Sequence, residues 1–350
     1  MKYTFVPFTS ERLKAAAALN ERLAASASAP FLLPQRENVD TGVVAVRREH
    51  WLVIDDSGEV RGGCLLQFHR GWVGGREADV VNVQSPLSEG LIDRRHAGVA
   101  GWMIKHVEER FRFAYAVGMG SEQAALARLF KALRWRVELV PFFFRVLSGR
   151  RMLAYLQPLR SHARFGWAVR AGAFIPLVPD LAFAAVHSYR RAPRSSGGHT
   201  GSGSSGWNTV RERYGFAVDR SEEAVTALYG DASRFYRVNA PAGAAIVCRA
   251  EYRRHPYFGN LRVATLVDAI CETGSERQIV DAVTDAARED GSDLVISNQT
   301  APDIIGALRE SGWLSYRSNF VAALSPTTAA AAASLPVFIT RGDGDGLLNL

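Results

Sequence analysis

Apolar residues in "ERLKAAAALNERLAAS" (11–26) recur at helical spacing and predict an amphipathic helix there. Residues 41–86 change period. Short runs rich in Val, Ile, Phe and Trp are separated by turn residues at Asp56-Ser57-Gly58 and Gly74-Gly75, which predicts successive antiparallel strands. The helical period returns in "RRHAGVAGWMIKHVEE" (94–109). It is followed by a buried strand "FAYAVGM" (113–119), an amphipathic helix "SEQAALARLFKALRW" (121–135) and a strand "VELVPFFFRVL" (137–147).

A Gly/Ser run, "RSSGGHTGSGSSG" (194–206), has almost nothing to bury and reads as a linker. A second low-complexity piece, "TTAAAAAS" (327–334), sets off the tail. Past the linker the order of elements repeats: strands at 243–252 and 261–270, a helix at 275–291, a strand at 292–299, a helix at 301–314 and a strand at 318–324. The best local match sets "ARLFKALRW" (127–135) against "IIGALRESGW" (304–313), each a helix running into a tryptophan. Two copies this far apart describe an internal duplication, whereas a solenoid would show many copies at short period.

A chain of 350 residues that is 47% hydrophobic has room for two domains with cores of their own. The longest apolar stretch, 165–189, is interrupted by Arg170, Pro176, Pro179 and Asp180, so it does not predict a membrane-spanning helix. The opening "MKYTFVPFTSERL" lacks the apolar core and cleavage site of an export peptide, and the expected compartment is the cytoplasm. Cys64, Cys248 and Cys271 have neither metal-ligand nor disulfide-scaffold spacing and read as buried hydrophobes.

The net charge of +7 is uneven. Between Lys131 and Arg194 twelve basic residues face only Glu138 and Asp180, in the same stretch as the apolar run. Such a patch suits an anionic surface, including peripheral contact with an anionic membrane, although a solvated arginine-rich face reads equally well. No nucleic-acid partner is expected, because no reading element accompanies the charge.

The chemistry concentrates at Arg95-His96-Ala97-Gly98-Val99-Ala100, where the chain turns into a helix. The first N–H groups of a helix point outward without partners, and the helix dipole favours an anion there. Gly98 permits close approach, and Arg94 and Arg95 add forked donors suited to phosphate. This run resembles the R/Q-x-x-G-x-G/A signature of the Gcn5-related N-acetyltransferase superfamily. "Q-A-A-L-A-R-L-F-K-A-L-R-W" (123–135) is similar to a later motif of that family, except that Phe130 replaces a tyrosine acting as general acid and Arg134 a glycine.

The resemblance implies an α+β fold of two tandem acetyltransferase-like domains, each a mixed, largely antiparallel sheet flanked by helices. The expected domains are 1–160, holding an acyl-coenzyme A site, a basic apolar segment and linker over 161–206, and 207–350, a degenerate second copy. "CETGSERQIVDAV" (271–283) offers Gly274 and a Ser-x-x-Gln helix start without the signature, so one cofactor site is expected, in the first copy. The resemblance assigns the cofactor, acetyl-CoA or another acyl-CoA, to Arg94, Arg95, Gly98, Val99, Ala100 and Gly101, with backbone N–H of Val83 or Gln84 as oxyanion donor.

Acyl transfer to an amine needs oriented reactants, a base and an oxyanion donor. Glu89, between the presumed central strand and the phosphate turn, and His96, at the mouth of the motif, are the candidate bases, the plainer readings being an exposed loop acid for Glu89 and a phosphate or solvent contact for His96. Asp93 reads as an N-cap or as a partner of Arg94 or Arg95. Asn82 and Ser85 are the candidate acceptor contacts. In the tail, Asp343 and Asp345 of "TRGDGDG" (340–346) lack the later bidentate glutamate of a calcium loop, and no metal is expected. Tyr252, His255 and Tyr257 line either a ligand site or their own packing.

The function expected is N-acyl transfer from acyl-CoA to an amine, with an amino sugar or lipid-linked saccharide of cell-envelope polysaccharide synthesis as the favoured acceptor. Two alternatives stand beside it: a Fem-type transferase using aminoacyl-tRNA, and an inactive acetyltransferase-like binding module.

Overall fold

The computed structural model describes residues 2–26, 32–34, 45–161, 177–191 and 206–344. The helix α1 (Leu13–Ala25) and the antiparallel meander of β2 (Val46–Asp55), β3 (Val60–Val73) and β4 (Arg76–Ser88) are as the sequence predicts; the strand β1 (Tyr3–Pro7), paired with β2, is not among the predicted elements. Its last hairpin closes on Gly74 and Gly75, at φ 58° and 83°, a left-handed pair that a two-residue turn between twisted strands requires. There follow α2 (Val99–Arg110), β5 (Ala114–Val117), α3 (Ala125–Ala132), β6 (Arg136–Leu139) and β7 (Phe142–Val146).

Three helices, α4 (Gly149–Tyr155), α5 (Gln157–Arg160) and α6 (Val178–Arg190), lead out of the first copy. The second half of the chain runs α7 (Trp207–Val210), β8 (Phe216–Val218), α8 (Glu222–Tyr229), β9 (Phe235–Ala240), β10 (Gly243–Glu251), β11 (Arg262–Cys271), α9 (Glu276–Glu289), β12 (Leu294–Asn298), α10 (Pro302–Glu310), β13 (Leu314–Tyr316) and β14 (Val321–Leu324). It ends with α11 (Pro326–Ala331) and β15 (Val337–Phe338). The fold is therefore α+β, with two mixed, largely antiparallel sheets flanked by helices.

The sheets exchange strands. One has the order β1-β2-β3-β4-β5-β14-β6, with β8 also on β3 and β15 on β8; the other has the order β13-β7-β12-β11-β10-β9. The strand between β5 and β6 thus comes from the second copy, and the strand between β12 and β13 comes from the first. The single strand predicted over 137–147 is two, because Val140-Pro141 divides it. Proline has no N–H for a ladder, and β6 and β7 on either side of it join different sheets. Segments 1–160 and 207–350 consequently do not each hold a complete sheet.

Each sheet buries an equivalent helical layer. Val99, Met103, Ile104 and Val107 form the buried stripe of α2 and pack with Phe130 of α3 against Val81 and Val83 of β4. In the second copy Ile279, Val280 and Val283 of α9 and Ile304 and Leu308 of α10 pack against Val247 and Leu266. The helix ends repeat as well. Trp135 N donates to Phe130 O (3.0 Å) and Trp313 N to Leu308 O (2.9 Å), with a left-handed residue before each tryptophan: Arg134 at φ 65° and Gly312 at φ 79°. Phe130 is fully buried against Trp135, ring centroids 4.4 Å apart.

Of the apolar stretch 165–189, residues 165–176 lie outside the described residues, as do 194–205 of the linker and Asp345. Over its described part α6 shows Leu181 and Tyr189 to solvent and docks through His187, whose Nδ1 lies 2.8 Å from Gly312 O and whose Nε2 accepts from Val146 N (3.2 Å). No helix among the described residues is long and apolar enough to cross a membrane. All three cysteines are buried, and burial pushes the Cys271 thiol up to about 12. Tyr252 packs on His255 and Phe258 within its own loop, centroids 4.6 and 5.0 Å apart.

Candidate active site

Strand β4 carries the chain into the site. It pairs with β3 along its length but with β5 only through Val81↔Ala114 and Asn82↔Tyr115, while β5 stays paired with β14 up to Val117. Beyond Asn82 the two strands part, and the opening begins at Val83 and Gln84. A bulge accompanies it: the register of β3 on β4 shifts between Gly63 and Leu65, and Ser85 sits at φ 45°. Bulges re-aim a strand and end its pairing, so this one turns β4 away from β5 toward the loop before α2.

The two faces of β4 do different work. Val83 faces α2 in the core, whereas Asn82 and Gln84 point the other way, into a buried polar layer. Gln84 Nε2 donates to Gln67 Oε1 (3.1 Å), which also accepts from Arg48 Nε (3.0 Å), and Gln67 Nε2 lies 2.8 Å from His69 Nε2. Burial, with Arg48 and Arg220 nearby, pushes His69 down to about 3, so it is neutral. Asn82 Nδ2 donates to the main-chain oxygen of Asp343 (2.7 Å), which takes a second bond from Tyr115 Oη (3.0 Å). Among the described residues nothing donates to Asn82 Oδ1, a buried acceptor at the point where the strands separate.

Past β4 the chain makes two 3-10 turns, Glu89–Leu91 and Arg94–His96. Ser88 Oγ accepts from Gly90 N (3.0 Å), and a Cβ on Gly90 would lie 2.6 Å from His96 O, so the turns stack only with glycine there. Glu89 is buried between two arginines, accepting from Arg22 Nε (2.7 Å) and Arg61 Nη1 (2.8 Å), while Arg61 Nε also holds Asp55 (2.6 Å). Burial alone would raise the Glu89 carboxyl, but the two guanidiniums outweigh it and hold it below the usual range. A carboxylate in that state ties α1, β3 and the turn together and is a weak proton acceptor. His96 is 2% exposed, with Nδ1 3.4 Å from Tyr3 Oη; it packs under the turn instead of standing at its mouth.

The start of α2 is open. Its N-cap, Gly98, is exposed, no side chain caps the helix, no acid occupies the first turn, and a Cβ on Gly98 would meet nothing within 4 Å. Trp102 N closes the first turn on Gly98 O (2.9 Å), so the N–H groups of Val99, Ala100 and Gly101 have no intrahelical acceptor. The Val99 side chain is fully buried and anchors the helix, which leaves only its main chain for a ligand. Arg94 and Arg95 are exposed beside this end. Asp93 does both things expected of it: it accepts from Arg95 N (2.9 Å) and pairs with the Arg95 guanidinium (2.6 Å).

At the start of α9, in the second half of the chain, an acid stands in the first turn. Ser275 makes no capping bond; instead Glu276 Oε2 accepts from Gly274 N (2.8 Å) and Oε1 from Arg213 Nη1 (3.1 Å). A carboxylate therefore stands in the first turn of this helix, paired with an arginine, where α2 has no acid at all. The strands part here too, since β11 pairs with β12 only as far as Leu266↔Ser297, with a register shift between Ile246 and Val247 on β10. Two residues past the last pair, where β4 has Gln84, β11 has Asp268.

Asp268 belongs to a buried ionic cluster that no local spacing announces. Arg220 Nε donates to Asp268 Oδ1 (2.8 Å), its Nη2 to Asp343 Oδ2 (2.8 Å) and its Nη1 to Val218 O (2.7 Å). Asp343 is placed by a capping box in which its carboxylate accepts from Thr340 N (2.8 Å). Burial and the neighbouring Asp343 outweigh Arg220 and push Asp268 up to about 6; burial raises Asp343 as well. Among the described residues no group of His, Cys, Asp and Glu has the arrangement of a metal site.

No family model matches the chain, and no curated protein does. Solved structures similar to it over most of its length include a GCN5-related N-acetyltransferase from Kribbella flavida, 12% identical, covering 94% of this chain and 73% of that one at a TM-score of 0.48. Another is a GCN5-related N-acetyltransferase from Anabaena variabilis ATCC 29413 (11% identity, 92% and 72% covered, TM-score 0.46). A third is N-myristoyltransferase from Saccharomyces cerevisiae with bound myristoyl-CoA (8% identity, 92% and 78% covered, TM-score 0.46). Likeness at this level assigns no role to any residue here.

Proposed function

We propose that the protein is an N-acyltransferase that takes its acyl group from acetyl-CoA or another acyl-CoA, bound once, in the first copy. The observation that carries this reading is the conjunction of two features on one chain segment: β4 parts from β5 after Asn82, and the helix that follows presents free N–H groups. The diphosphate would lie on the N–H groups of Val99, Ala100 and Gly101, with Gly98 leaving room and Arg94 and Arg95 adding charge. The thioester arm would enter the opening along Val83, Gln84 and Ser85, and Asn82 Oδ1 would accept from an amide N–H of that arm. Coenzyme A supplies an activated acyl carbon; the chain holds it, keeps water out and brings an amine to it.

Glu89 and His96 serve in this reading as supports of the phosphate turn. The acceptor proposed is an amine, favoured as an amino sugar or lipid-linked saccharide, and cytoplasmic residence with peripheral membrane contact fits the basic stretch 131–194. Isothermal titration with coenzyme A tests the cofactor site. Micromolar binding is expected for the wild-type protein, with at least about a tenfold loss in Gly98→Phe, the worth of one or two charge-assisted bonds displaced, and an unchanged melting temperature. Equal affinity in the two proteins, or no heat with either, would overturn the reading in favour of aminoacyl-tRNA as donor or of a module without chemistry.

A further inference from the structure

The second copy holds a cleft of about 510 Å³ between the sheet face of β9, β10 and β11 and the segment from Trp207 to Val225. Its lining includes Trp207, Asn208, Asn239 and Ile246 together with Arg220 and Asp268. Asp268 is 3% exposed. Its Oδ1 accepts from Arg220 Nε (2.8 Å) and Ala269 N (3.1 Å), and among the described residues nothing donates to Oδ2.

The local charge does not balance. Arg220 is shared between Asp268 and Asp343, so two buried carboxylates face one buried guanidinium. Other charges near the cleft pair among themselves: Arg237 binds both oxygens of Glu222, at 2.6 and 2.7 Å. A buried carboxylate with an open oxygen is costly unless a cation completes it.

We propose that this cleft binds the ammonium group of a small hydroxylated amine of the amino-sugar class, with Asp268 Oδ2 as the counter-ion. The carboxylate accepts from the ammonium, and the side-chain amides of Asn208 and Asn239 on the same cleft offer hydrogen-bonding groups to a sugar's hydroxyls. The cleft also adjoins the opening of β4. Asp343 links them, with its carboxylate on Arg220 and its main-chain oxygen on Asn82 Nδ2 (2.7 Å). The proposal rests on the N-acyltransferase reading only for what the bound amine does next; binding itself needs no coenzyme.

The experiment is titration of the full chain, without coenzyme A, with glucosamine and separately with N-acetylglucosamine, which lacks the ammonium. Wild-type protein is expected to bind glucosamine at least about tenfold more tightly than N-acetylglucosamine, and Asp268→Asn to lose that margin, as the removal of one charge-assisted bond implies. Ala244→Phe, on the cleft wall away from the ion cluster, is expected to abolish binding with the fold intact, and it serves if Asp268→Asn does not fold. Equal affinity for the two sugars, undiminished binding to either variant, or no binding of glucosamine would overturn the proposal. A failure of coenzyme A titration with glucosamine still bound would overturn the transferase reading and leave the cleft standing.

Discussion

The two halves of the chain begin their central helices differently. In the first, α2 starts on an exposed glycine with no side chain on its free N–H groups; in the second, Glu276 folds back to accept from Gly274 N (2.8 Å) while Arg213 grips its other oxygen. The strands before these helices differ in the complementary sense, for Gln84 in the first opening is neutral and its counterpart Asp268 is an acid beside a cleft. One helix start thus carries no acid and the other carries a paired one, and the acid at position 268 lies on a cleft lined by β9, β10 and β11.

The sharpest way to break the comparison is at its anchors. Arg61→Ala strips a partner from both Asp55 and Glu89, whose side chains are 1% and 5% exposed. A loss of about 3–5 kcal/mol is expected in urea denaturation, as for other buried pairs cut on one side. Arg213→Ala, at the second copy's more exposed clamp, should cost about 1 kcal/mol. Glu89 and Asp55 are both held below their ordinary values, Asp55 because bonds from Ser57 and Arg61 override its burial. Carboxylates depressed in the native state stabilise above their unfolded pKa near 4 and cease to as the pH falls through the native values. The gap between wild type and Arg61→Ala should therefore begin to narrow below about pH 5 and go on narrowing as the pH falls through the depressed native values.

Smaller effects come from the paired helix ends. Gly312→Ala places a Cβ against His187 O at a left-handed position and is expected to cost about 2 kcal/mol. Arg134→Gly relieves the same backbone strain in the first copy and should stabilise by about 1 kcal/mol, seen as a raised melting temperature. Similar signs for the two substitutions would mean that the helix ends are not equivalent.

This helix-end echo was visible in "FKALRW" and "LRESGW", because a left-handed turn into a buried tryptophan is a local event written in consecutive residues. The meander and α2 were legible for the same reason. The strand exchange was not, since alternation shows which face of a strand is buried and says nothing of which edge it joins; Pro141 was the one local sign of it. Strands β8 and β9 went unseen because they are short and β9 alternates weakly. At the site, the open start of α2 could be read from Gly98 and its arginines, whereas Glu276 was missed because Ser275 looked like the cap. The Arg220–Asp268–Asp343 cluster joins residues up to 123 positions apart and leaves no period in the sequence. The same holds for Glu89, whose partners Arg22 and Arg61 approach from α1 and β3.

Amide hydrogen exchange with and without coenzyme A tests the contrast between the copies most directly. The account predicts slowed exchange at Val99, Ala100 and Gly101 and no change from Gly274 to Arg277. Protection at Gly274 to Arg277, or none at either helix start under saturating coenzyme A, would contradict it.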